Sequence, residues 1–152
     1  MRDPVLLQVK GLTTSFDTEE GQFKAVDQVS FDLHKGMILG LVGESGSGKS
    51  VTALSIMQLI KGSSGKITDG EVLYSKNESV IDLLKLPEKE KRYYRGKDIA
   101  MIFQEPMTSL NPVLSCGSQV AEALIMHLKL SKTEAKERTI AIITRCFCPP
   151  DN

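Results

Sequence analysis

One octapeptide constrains this chain more than any other feature. Gly43-Glu44-Ser45-Gly46-Ser47-Gly48-Lys49-Ser50 satisfies G-x-x-x-x-G-K-[ST] at every fixed position. Glycine makes up about 7% of average usage, so four constrained positions coincide by chance in well under about 1% of chains this long. The context fits as well. Residues 37–42 (MILGLV) are apolar on both parities, which predicts a strand buried on both faces, as in the centre of a parallel sheet. Residues 51–60 read as a largely buried helix, ended by Gly62-Ser63-Ser64-Gly65. A Gly/Ser linker has no reason to sit between such segments. A dinucleotide fingerprint fails, because Gly46-x-Gly48 runs on to Lys49, Ser50 and Val51 with no third glycine, and a kinase glycine loop fails for the same reason.

The residue types of the octapeptide suit an anion. Phosphate oxygens need many donors at short range, and successive backbone amides form such a nest. Gly43, Gly46 and Gly48 lack a Cβ, so the backbone is free to curl and approach a ligand. A helix starting at the end of the loop turns its positive dipole end toward the anion. Lys49 is then expected to reach β- and γ-phosphates, and the Ser50 hydroxyl to ligate Mg²⁺.

Upstream, short antiparallel strands are expected at residues 6–13, 23–26 and 29–33, with turns at Gly21 and at Asp27-Gln28. Downstream, residues 70–74 and 80–84 read as a hairpin pair. Pro87 opens a short charged helix closing near Gly96; the mixed-sign run at 88–97 reads as a solvated face. Residues 99–103 (IAMIF) predict a second buried strand. From Ser118 the period becomes helical, with Ala121, Leu124, Ile125 and Leu128 in one stripe. Ser131-Lys132-Thr133-Glu134 is a capping-box sequence, and the helix after it carries Ala135, Ile142 and Ile143 on one face.

After the second apolar run comes Gln104-Glu105-Pro106-Met107-Thr108-Ser109-Leu110-Asn111-Pro112, a polar loop at a strand end, where open α/β sheets bind ligands. A glutamine there is able to orient a water or complete a metal shell; a structural amide in a turn is the bland alternative. VGESGSGKS at 42–50 together with IFQEPMTSLNPV at 102–113 resembles the ATP-binding subunits of ABC transporters, in particular the dipeptide/oligopeptide (and nickel) importer branch. The order of elements agrees, including SFDTEEG and KAVDQVSFDLHKG before the phosphate loop, from about residue 6 to about residue 143.

The resemblance implies an α/β fold: a P-loop NTPase, with an ABC-type ATPase core carrying an N-terminal antiparallel β subdomain. It places a partial core at 1–115 and the start of a helical subdomain at 116–152. It makes residues 43–50 the Walker A loop, with Val51 beside it, and Gln104 the Q-loop glutamine, touching Mg²⁺ or the attacking water. ATP and Mg²⁺ are the implied cofactors. Phe16 is the implied adenine-stacking ring, with Phe23 as the alternative and core packing as the competing role of either. The loop at 105–113 would face the coupling helix of transmembrane permease subunits. A second ATP-binding subunit would complete the ATP sandwich, and an extracytoplasmic substrate-binding protein would act indirectly. The implied location is the cytoplasm, peripheral on the inner face of the membrane.

Departures qualify the resemblance. No LSGGQ-type run and no strand ending in Asp-Glu occurs, and no switch histidine is assignable: His127 falls mid-helix and His34 in a turn. The resemblance therefore implies that the C-terminal part of the domain lies outside these 152 residues, and that the chain binds nucleotide without being catalytically competent. A P-loop kinase or NTPase of another class, and a truncated fragment without stable function, stand as alternatives.

Composition agrees with a folded cytosolic domain. The 19 basic and 19 acidic residues cancel, giving no long-range attraction to nucleic acid, so no nucleic-acid partner is expected. No apolar stretch reaches the roughly 18 residues of a membrane span, and residues 5–7 are too short for a secretory signal. Cys116, Cys146 and Cys148 read as reduced thiols, and no metal site is expected from Cys146-x-Cys148.

Overall fold

The computed structural model describes residues 4–60, 65–77, 79–103 and 109–147. The chain divides into two compact units, Met1–Lys91 and Arg92–Asn152. The expected boundary at 115 falls inside the second.

The first unit is built on a four-stranded antiparallel sheet in the order β2-β1-β3-β4. Strands β1 (Val5–Thr18) and β2 (Gly21–His34) form a hairpin. Strand β3 (Gly65–Lys76) pairs with β1, and β4 (Ser79–Asp82) closes the sheet on β3. Helix α1 (Lys49–Ile56) packs on β1 and β2. Val9, Leu12, Val26, Val72 and Leu83 form the buried core, each such side chain contributing about 1.5–3 kcal/mol.

β2 is one strand where sequence spacing predicts two. The Asp27-Gln28 step is a local irregularity, with Gln28 at φ 51°, and its amide donates to Thr13 Oγ1 at 3.1 Å. A side chain thus satisfies the group that a bulge leaves unpaired, and pairing resumes beyond it.

The second unit holds helices α3 (Cys116–Leu128) and α4 (Lys132–Phe147). Helix α2 (Glu88–Tyr94) bridges the division in sequence, and the Pro87 carbonyl accepts its first helical bond, from Lys91. Ser115 caps α3 by accepting from the Ser118 amide. On α4 the buried residues are Ala135 and Thr139, one turn apart, with Ile143 half-buried, while Ile142 stays exposed. The stripe is therefore narrower than the expected Ala135–Ile142–Ile143 face. No helix among the described residues is long and apolar enough to cross a membrane.

The capping box forms as the sequence predicts. Glu134 accepts from the Ser131 amide at 2.9 Å and the Ser131 hydroxyl at 2.6 Å, while Ser131 Oγ accepts the Glu134 amide at 3.3 Å. The Ser131 hydroxyl and amide hold the Glu134 carboxyl below its usual value. A depressed carboxylate contributes stability above its unfolded pKa and loses it as pH falls through its folded one. Ser131→Ala should therefore lower helical circular dichroism at neutral pH and by less in acid, where only the neutral bond to the Glu134 amide is still lost. A difference that persists undiminished in acid would refute the ionic part of this cap.

Two expectations fail. Residues 37–42 form no strand, with Ile38 97% and Val42 95% exposed. Of residues 99–103, Ile99 makes a single bridge to Arg95 and Ile102 is 97% exposed. A parallel strand buried on both faces needs strands on either side and cover above and below. Among the described residues no strand pairs with either run, so most of their apolar side chains remain exposed, with Ile99 and Met101 half-buried.

Candidate functional site

The octapeptide closes into a compact loop leading into α1. The Ser47 amide donates to the Glu44 carbonyl at 3.2 Å, folding the chain over Ser45 and Gly46. Gly46 and Gly48 sit at φ 81° and 85°, a left-handed region that disfavours residues with a Cβ. Gly48 also lies directly against the Ala25 carbonyl of β2, where a Cβ would have no room.

Gly48 is the N-cap of α1 and offers no side-chain acceptor, and the first turn carries no carboxylate. The leading amides of a helix have no intrahelical partner, so this terminus is left for an external anion. Lys49 folds its ammonium back over the loop, donating to the Gly43 carbonyl at 2.8 Å, the Glu44 carbonyl at 2.6 Å and Ser47 Oγ at 3.2 Å. A fixed cation and open amides thus share one turn of chain. Glu44, Ser45 and Ser50 are exposed and Val51 is half-buried. This donor set, a fixed ammonium beside open helix-start amides, is of the kind that suits a phosphate chain.

Helix α1 is tied to the sheet by hydroxyls that periodicity did not single out. Thr52 Oγ1 donates to the Gly48 carbonyl at 2.9 Å, and Ser55 Oγ to the Val51 carbonyl at 2.7 Å. Ser55 also meets Thr14 Oγ1 of β1 at 2.7 Å, both residues fully buried. The signal available in the sequence is the run Thr13-Thr14-Ser15, three hydroxyl residues in succession at the end of the strand expected at 6–13.

Phe16 and Phe23 stand opposite each other on the β1–β2 ladder. The Phe16 ring is half-buried beside Gly65, where a Cβ would approach Cε1 to 2.8 Å, whereas Phe23 is 59% exposed.

Gln104 and residues 105–108 lie outside the described residues. The rest of that loop is held by Gln119 of α3, which sequence reading passed over. Its Oε1 accepts the Asn111 amide at 2.8 Å, and its Nε2 donates to the Asn111 carbonyl at 3.0 Å and the Leu114 carbonyl at 3.2 Å. This clasp leaves Leu110, Val113 and Leu114 exposed. His127 is half-buried with its imidazole against Gly96, a packing position.

The family described as ABC transporter matches residues 26–146. The chain is 50% identical over 144 residues to the dipeptide transport ATP-binding protein DppD of Bacillus subtilis, covering 95% of this chain and 42% of that protein. It is 49% identical over 138 residues to the oligopeptide transport ATP-binding protein OppD of Bacillus subtilis, covering 91% and 37%. It thus spans less than half the length of these relatives. Among solved structures, the dimeric ATP-binding cassette MJ0796 bound to ADP and Pi superposes with a TM-score of 0.72 at 26% identity, over 90% of this chain and 55% of that one.

Proposed function

The chain belongs to the ABC transporter family, and from that premise we propose that it binds ATP with Mg²⁺ as the phosphate-cradling part of a subunit that energises peptide import. The observation that carries this reading is the loop at 43–50, curled around the Lys49 ammonium at the uncapped start of α1. In this proposal the amides of residues 46–50 and Lys49 hold the β- and γ-phosphates, with Gly43, Glu44, Ser45 and Val51 forming the wall. Ser50 and Gln104 are the proposed Mg²⁺ ligands; bound Mg²⁺ supplies neutralisation of phosphate charge. Gln104 is further proposed to orient the attacking water.

ATP hydrolysis coupled to transport is proposed for the subunit acting in pairs, as the dimeric cassette among the solved structures suggests. The relatives' names support peptides as cargo. The loop from 105 to 113 is proposed to meet the permease, with Gln119 holding its far end in shape. A substrate-binding protein acts through that permease. In this reading the chain works in the cytoplasm, against the inner face of the membrane.

Phe16 is proposed as the adenine platform. A ring steadied on one side by Gly65 loses little freedom on stacking, and base–aromatic stacking is worth about 1–3 kcal/mol. The experiment is calorimetric titration of the folded chain with Mg²⁺-ATP and, separately, with inorganic tripolyphosphate. Binding of both is expected, with ATP the tighter. Phe16→Ala should remove most of the ATP advantage and leave tripolyphosphate affinity alone. A larger loss from Phe23→Ala would transfer the role to Phe23, and a folded chain that takes up neither ligand would overturn the nucleotide reading.

A further inference from the structure

Thr14 and Ser55 bury their hydroxyls completely between sheet and helix, and neither touches the phosphate loop. The Ser55 hydroxyl has one proton, and the Val51 carbonyl takes it at 2.7 Å. In the 2.7 Å contact between the two hydroxyls, Thr14 is therefore the donor. The chain of bonds runs from β1 through Ser55 to the carbonyl of Val51, the residue directly after Ser50.

The same helix has a second anchor at its other end, where Gly48 lies on the Ala25 carbonyl. Thr14 pairs with Val26, the neighbour of Ala25. Both anchors thus grip the β1–β2 ladder at nearly the same level, and the Phe16–Phe23 pair lies two residues further along β1. Strand β1 is irregular at this point, with register shifts against β2 on both sides of Thr14 and against β3 between Thr13 and Thr14. The irregularity buries Leu12, Thr13, Thr14 and Ser15 in succession, where a regular strand would turn alternate residues out. Bulges re-aim side chains in this way; here one aims the Thr14 hydroxyl at α1.

We infer that Thr14 and Ser55 are positioning residues whose hydroxyl bridge fixes the slide of α1 along the sheet, and with it the spacing between the phosphate loop and the Phe16–Phe23 pair. That spacing selects a nucleoside triphosphate over a bare polyphosphate. The inference rests on the nucleotide reading above and deepens it.

Thr14→Val is nearly isosteric, deletes the donor, and leaves Ser55 bonded to Val51. It should weaken ATP binding about tenfold, the scale of one buried hydrogen bond, and tripolyphosphate binding by less than about twofold. Thr14→Ser, which keeps the hydroxyl, should restore the wild-type ratio of the two affinities. Urea unfolding of each variant separates this ratio from stability, since a merely structural bond lowers both affinities together. Equal losses for the two ligands, or no loss for either, overturn the inference and leave the nucleotide reading standing. A wild-type chain that binds neither ligand overturns that reading, and the inference with it.

Discussion

Lys49→Ala is expected to lower ATP affinity by at least about 100-fold while the chain stays folded. The ammonium is the fixed cation of the loop, and its three donors already point inward at Gly43, Glu44 and Ser47. Hydrogen bonds to a charged group are worth about 1.5–3 kcal/mol each, so losing two phosphate contacts removes about 3–6 kcal/mol of binding. The cost to folding is small by comparison, because the bonds lost in the free protein are exposed and water replaces them. Tripolyphosphate binding should fall alongside ATP binding, which separates this variant from Phe16→Ala and Thr14→Val. Lys49→Arg should not rescue, since a planar guanidinium does not reproduce a point charge on a flexible stem. Calorimetric titration and a thermal melt measure the two quantities, and unchanged affinity would remove the phosphate role assigned to Lys49.

Gly48→Ala carries the largest expected effect on stability. Alanine at φ 85° costs about 1–2 kcal/mol, and the new methyl would also press into the Ala25 carbonyl. Overpacking against rigid backbone adds about 1–3 kcal/mol, for a total of about 2–5 kcal/mol. Domains of this kind are held by about 5–15 kcal/mol, so the helix should undock from β2 or the chain should unfold. Gly46→Ala is the matched control. It shares the left-handed backbone, at φ 81°, but its Cβ would enter open space. It should cost only the conformational term. Denaturant midpoints of the two variants measure the difference, and equal shifts would show that the approach of Gly48 to β2 carries no weight.

Local features were the most legible in the sequence. The octapeptide, the hairpin after it, the Pro87 helix start and the Ser131–Glu134 cap each depend on residues a few positions apart. Their physics is complete within a short stretch of chain, so spacing alone reveals them. α3 starts two residues before periodicity expects, because Ser115, its cap, stands next to a cysteine and a glycine that periodicity does not score. Sequence spacing splits β2 in two because Asp27-Gln28 carries turn residues, while the bond that keeps the strand whole comes from Thr13, fourteen positions upstream of Asp27. The clasp of Gln119 on Asn111 and Leu114 leaves no signal in the sequence, since a glutamine on a helix face has no pattern.

The two apolar runs teach a different lesson. Residues 37–42 and 99–103 are written for burial on both faces, yet Ile38, Val42 and Ile102 stand almost fully exposed. Hydrophobic patterning states what a segment would gain by burial; it does not supply the neighbours. Among the described residues the one sheet is the antiparallel β2-β1-β3-β4.

By itself, the sequence determined the chemistry: a glycine-rich loop ending in Lys49 and Ser50 has residue types suited to phosphate, whatever surrounds it. It determined the family resemblance too, because the run from Ile102 to Val113 is specific in a way composition is not. The tertiary structure alone decided how that loop is held. A buried hydroxyl pair 41 positions apart and a glycine pressed on a strand carbonyl 23 positions upstream depend on which residues meet across space. Hydrogen bonds and steric fit act over a few ångströms, and sequence spacing records such distances only within a single helix, strand or turn.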